Sequence, residues 1–63
     1  MQEGTVKFYN ESKGFGFITP VQGGKDIFVH STGILGRISE NDSVTFQVEE
    51  TPKGLSAIQV RRA

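Results

Sequence analysis

Apolar and polar positions alternate along this chain in short runs, and glycine or proline punctuates the runs. Gly4 to Asn10, rich in Thr, Val, Phe and Tyr, predicts a first strand. A second runs from Gly14 to Thr19 and closes at Pro20, which has no N–H to give a central ladder. Gly23-Gly24 supplies a turn, and Asp26 to His30 predicts the third strand. The fourth, Val44 to Glu49, has the cleanest period of two, with Val44, Phe46 and Val48 apolar and Thr45, Gln47 and Glu49 polar. Pro52-Lys53-Gly54 turns the chain into a fifth strand, Leu55 to Arg61, with Ile58 and Val60 on one face. Between Ser31 and Asp42, Ile34, Leu35 and Ile38 have helical spacing, but Gly33 and Gly36 interrupt it. At most one short helical turn is expected there. Five short strands cannot satisfy their edges as a flat sheet, so the predicted fold is all-β: a small, partly open, five-stranded antiparallel Greek-key barrel.

Composition narrows the picture. Sixty-three residues, 35% of them hydrophobic, suit one domain over residues 1–63 with a single modest core. With no cysteine, neither a disulfide nor a Cys-ligated zinc can staple the fold, and one His among scattered carboxylates is too little for a metal site. No metal and no cofactor are expected. The chain has no apolar run near the roughly 18 residues of a membrane span, and Met1-Gln2-Glu3-Gly4 does not open like a signal peptide. The expectation is a soluble, cytoplasmic monomer without membrane contact. Seven Lys and Arg balance seven Asp and Glu, which argues against a binder held on nucleic acid by bulk charge. The acidic residues read as solvated surface, and Arg61-Arg62 as a solubilising tail or an extra backbone contact.

The chemistry is concentrated in two predicted strands. In Lys13-Gly14-Phe15-Gly16-Phe17-Ile18, period two sends Lys13, Phe15 and Phe17 to one side and Gly14, Gly16 and Ile18 to the other. In the next strand Phe28 and His30 alternate against Ile27 and Val29. Phe is most often buried. Here, however, the phenylalanines share a face with Lys13 and His30, while Ile18, Ile27, Val29, Val44, Phe46, Val48, Ile58 and Val60 already make a complete aliphatic core. The Phe face is therefore read as solvent-facing, and exposed rings imply a ligand. Flat rings flanked by cations suit nucleic-acid bases, which stack in single-stranded sites for about 1–3 kcal/mol each. Gly14 and Gly16 serve either a close backbone approach or strand curvature, and the sequence leaves both readings open.

These residues resemble the cold-shock domain family in its small bacterial form. Lys13-Gly14-Phe15-Gly16-Phe17-Ile18 is similar to that family's first ribonucleoprotein motif and Ile27-Phe28-Val29-His30 to its second. Gly4-Thr5-Val6-Lys7-Phe8-Tyr9-Asn10 and Gly54-Leu55-Ser56-Ala57-Ile58-Gln59-Val60 extend the likeness over nearly the whole chain. RNA-recognition-motif domains carry a related pattern but need two helices and a longer chain. The resemblance implies an oligonucleotide-binding barrel that takes single-stranded RNA or DNA with little sequence preference and acts as an RNA chaperone. Position by position, it implies a stacking platform of Phe8, Phe15, Phe17, Phe28 and His30, with Lys7, Asn10, Lys13 and Asp26 at its rim. Phe8 stands where many members have Trp, Ser31 where they commonly have Phe, and Gly33 to Ser39 holds no ring where their loop often does.

Catalysis has little support in the residues. No GK[ST] follows the glycines to make a phosphate loop, and the single histidine has no evident nucleophile or orienting partner. A non-enzymatic binder is the expectation. The rival is a protein-interaction barrel whose aromatic face docks a peptide such as a proline-rich segment, which would leave Tyr9 fluorescence insensitive to oligonucleotides.

Overall fold

The alternating runs become five strands in the computed structural model, which describes residues 2–63. They are β1 (Gln2–Asn10), β2 (Phe15–Pro20), β3 (Ile27–His30), β4 (Ser43–Thr51) and β5 (Gly54–Arg62). One turn of 3₁₀ helix, Ser31–Gly33, follows β3 directly. Each predicted strand is present with its ends moved by a residue or two. The strands close in the order β1-β2-β3-β5-β4, with β4 paired back to β1, so the barrel is closed rather than partly open. Neighbours are antiparallel except at one seam: β3 runs parallel to β5, with Phe28 opposite Ser56 and Val29 opposite Ala57. Parallel partners cannot be joined by a hairpin. Here the connection comprises the 3₁₀ turn, a loop over residues 34–42 and β4, and the β4–β5 hairpin brings β5 back beside β3.

Inside the barrel, Val6, Ile18, Ile27, Val29, Ile38, Val44, Phe46, Ala57 and Val60 form one buried cluster, against which Tyr9, Ile34 and Val48 pack. Among the described residues no polar or charged side chain is buried. Phe46 is the largest fully buried side chain. Ile38, expected on a helical turn, instead sits in the irregular loop and closes the core with less than a twentieth of its surface exposed, at 3%. That loop is held by backbone hydrogen bonds: Leu35 N–H donates to the Val60 carbonyl at 2.7 Å and Asn41 N–H to the Val6 carbonyl at 2.7 Å. The Asp42 carboxylate accepts from Ser39 N–H at 2.8 Å and lies 3.4 Å from Arg62 Nε.

Two irregularities break the simple period of two. In β5, Gln59 adopts φ 52° and the β4–β5 register shifts beside it, so that two residues of β5 face Phe46 alone. The extra residue turns Ala57 inward and leaves Ile58 only half-buried, which corrects the expectation that Ile58 shares the core face with Val60. In β1, Val6 pairs with Ile18 but Phe8 with Phe17, so Lys7 is the bulged residue. Strict alternation from the buried Gly4 and Val6 would turn Phe8 into the core. The bulge turns it out.

Among the described residues no helix is long and apolar enough to cross a membrane.

Candidate nucleic-acid interface

Strands β1, β2 and β3 lie side by side, and their outward positions bring five rings together. Phe8 meets Phe15 edge-on at 6.2 Å between centroids, Phe15 stacks on Phe28 at 6.0 Å with planes 22° apart, and Phe17 meets Phe28 edge-on at 5.9 Å. His30 completes the array, 6.5 Å from Phe28 and tilted by 41°. Phe8, Phe17 and Phe28 remain 39%, 36% and 37% exposed, a large apolar area to leave in water. Phe15, flanked by Phe8 and Phe28, is half-buried. The residues that alternate with these on β2 and β3, Gly16, Ile18, Ile27 and Val29, are buried, so the two faces divide as the pattern predicts.

Gly16 resolves the reading that the sequence left open. A Cβ on Gly16 would collide with the Phe8 carbonyl oxygen and lie 2.8 Å from Tyr9 Cα and 2.9 Å from Tyr9 Cδ1. β1 approaches so closely there, with Tyr9 paired to Gly16, that no side chain fits. Gly14 serves differently. It has φ 75°, ends the β1–β2 turn by donating its N–H to the Asn10 carbonyl, and accepts from Ser31 N–H at 2.8 Å.

The polar residues expected at the rim have specific partners. Lys7 Nζ lies 2.9 Å from Asp26 Oδ2, and the Thr19 hydroxyl donates to Asp26 Oδ1 at 2.9 Å. Hydrogen bonds from Lys7 first and Thr19 second hold the Asp26 carboxyl below the usual carboxylate range. Because the folded value is depressed, this pairing stabilises the fold above the unfolded carboxylate pKa and its contribution is lost as pH falls through the lowered one. Asn10 is half-buried, and its side-chain oxygen accepts from Lys13 N–H at 3.1 Å, shaping the β1–β2 turn. Lys13 lies in that turn, outside β2, so strand alternation does not set its direction; it is exposed.

From the sequence the β4–β5 hairpin is only a turn, yet in the fold it borders the rings. A groove of about 470 Å³ is lined by Phe28, His30, Thr51, Lys53, Leu55 and Ser56. Another, of about 490 Å³, includes Phe17, Phe28, Lys25, Lys53 and Leu55 in its lining. The parallel β3–β5 seam creates this neighbourhood by setting Ser56 opposite Phe28, and no local pattern announces such a pairing. Beyond Phe8, a third groove is lined by Glu11, Ser39 and Glu40 among others. Lys25, Lys53 and Asp26 thus stand at the hairpin end of the array, and Glu11 and Glu40 at the other. Arg61 lies opposite Thr45, whose partner on the other side is Glu3, and it lines none of these grooves.

Comparison with known proteins identifies the family of the chain. The family model described as 'Cold-shock' DNA-binding domain matches residues 2–63. "Cold shock-like protein CspC" of Escherichia coli (strain K12) is 47% identical over 62 residues, covering 92% of this chain and 90% of the relative. "Probable cold shock protein A" of Mycolicibacterium smegmatis is 49% identical over 65 residues, covering 97% of each. The solved structure of "drosophila Unr CSD456" superimposes with a TM-score of 0.83 at 32% identity, and covers 98% of this chain while this chain spans 26% of it.

Proposed function

The chain belongs to the cold-shock domain family, and on that premise we propose that it is a non-enzymatic binder of single-stranded RNA or DNA that stacks unpaired bases on Phe8, Phe15, Phe17, Phe28 and His30. The observation that carries this reading is the continuous array of outward rings above a core already filled by aliphatic side chains and Phe46. Bases in a duplex have their faces covered by neighbours, so a stacking platform engages only unpaired ones. A protein that binds only the open form shifts RNA folding toward it by mass action, without nucleotide hydrolysis. This is the chaperone activity proposed here.

Titration of a fluorescently labelled mixed-sequence hexamer, followed by anisotropy at several salt concentrations, tests the reading. The hexamer should bind and a duplex of the same sequence should compete poorly. Lys25 and Lys53 line the groove beside Phe17 and Phe28, Lys13 is exposed in the turn two residues before Phe15, and Lys7 is engaged by Asp26. The salt slope should therefore correspond to only about two to four released counterions. A slope of six or more would make charge rather than stacking the dominant force. Duplex binding equal to single-strand binding, or displacement of the hexamer by a proline-rich peptide, would favour a different partner.

Ser31 leaves the far edge of the platform without a ring. It is exposed beside His30, and its side chain lies over Gly14, where no Cβ crowds it. Ser31→Phe should add about one stacked base, 1–3 kcal/mol of affinity, and lengthen the shortest oligonucleotide that binds fully. No gain across a length series would mean that position 31 does not face the strand.

A further inference from the structure

His30 is the one ring of the array with a polar edge, and the fold treats its two nitrogens differently. Nδ1 accepts a hydrogen bond from the backbone N–H of Thr32 at 3.3 Å and lies 3.1 Å from the Thr32 hydroxyl. In this way His30 caps the 3₁₀ turn Ser31–Gly33 that follows β3. A backbone N–H only donates, so the neutral imidazole in this contact has its lone pair on Nδ1 and its proton on Nε2. The Thr32 hydroxyl can rotate its hydrogen toward the same lone pair. Among the described residues no protein group hydrogen-bonds Nε2, and the His30 side chain is exposed.

Resting on the single-strand reading, we propose that Thr32 is a positioning residue that fixes His30 as a hydrogen-bond donor. The imidazole face then stacks with the array while Nε2–H reaches an oxygen acceptor of the bound strand, either a keto oxygen of a base or a phosphate oxygen. A phenyl ring at position 30 would supply the stacking without the donor. The capped tautomer is therefore what separates His30 from the four phenylalanines around it.

Nitrogen-15 NMR of the ligand-free protein in mildly alkaline solution reads the tautomer directly, and Nε2–H should predominate. Thr32→Val removes the hydroxyl but keeps the backbone N–H, so it should lessen without abolishing the excess of Nε2–H and weaken hexamer binding by up to about 2-fold, with Thr32→Ser restoring both. His30→Phe should weaken binding about 3–10-fold. Hexamers carrying one abasic position at a time distinguish the acceptors. If a base oxygen is the acceptor, one abasic position abolishes the His30→Phe penalty; if a phosphate oxygen is, the penalty persists at every position. Predominance of Nδ1–H, or a His30→Phe protein that binds as tightly as the parent, overturns the proposal while leaving single-strand binding intact. A parent protein that binds no hexamer overturns the single-strand reading, and the assignment of His30 as a donor to the strand falls with it.

Discussion

Ile18→Ala is expected to unfold much of the population, whereas Phe17→Ala, one residue away, should keep the barrel and lose about 1–3 kcal/mol of oligonucleotide affinity. Ile18 is fully buried at the centre of the core and Phe17 is 36% exposed on the outer face. Removing a buried Ile side chain costs about 2–5 kcal/mol, because the lost transfer free energy is joined by the cavity left behind. At about 0.05–0.15 kcal/mol per residue, a chain of this length has a total stability of about 3–9 kcal/mol, so such a loss is a large share of it. Phe17 touches Phe28 edge-on, and its truncation removes part of the platform without opening the interior. Phe28→Ala and Val29→Ala repeat the contrast on β3, where Phe28 is 37% exposed and Val29 is fully buried. Denaturant titration paired with hexamer binding separates the two effects. If Phe17→Ala and Ile18→Ala lose stability equally, the division into core face and binding face is wrong.

That division was legible because β2 and β3 are regular. Over Phe15 to Ile18 and Ile27 to His30 a period of two is all that is needed, and it sorts every side chain correctly. Phe8 was not legible in this way. By alternation alone it falls on the inner face with Val6, and only the likeness to the cold-shock domain family placed it on the platform; the bulge at Lys7 is the physical reason. The same kind of slip at Gln59 moved Ile58 off the core face and put Ala57 on it. A bulge depends on the partner strand, so one strand's sequence does not reveal it. The burial of Ile38 and the place of Lys53 and Leu55 beside the rings were not legible for a related reason. What surrounds them is set by barrel closure through the parallel β3–β5 seam, a contact distant in sequence. Lys7 and Asn10 lie on β1 and Asp26 directly precedes β3. Their engagement with one another's neighbours, Lys7 with Asp26 and Asn10 with the backbone of Lys13, appears only in three dimensions.

Gly16→Ala is expected to damage stability and binding together, more than any other addition of one carbon on the platform strands. The new methyl would strike the Phe8 carbonyl and crowd Tyr9, and two of those three contacts are with backbone, which cannot turn aside as a flexible side chain would. β1 must move away from β2 where Phe8, Tyr9 and Asn10 pair with Phe17, Gly16 and Phe15. Overpacking a well-filled interior costs about 1–3 kcal/mol when side chains can adjust; here paired backbones must separate, so the loss should reach or exceed the top of that range. The same displacement carries Phe8 away from Phe15, whose rings now meet at 6.2 Å, so molecules that stay folded should also bind more weakly. Gly23→Ala is the control. Nothing lies within 4 Å of its added carbon, and only its φ of 92° is unfavourable for a side chain, a strain of about 1–2 kcal/mol with no effect on binding by the folded fraction. Denaturation midpoints for the two variants, with affinities corrected for the fraction folded, decide the matter. A Gly16→Ala protein as stable as Gly23→Ala, with undiminished affinity, would show that the close approach of β1 is not what holds Phe8 in the array.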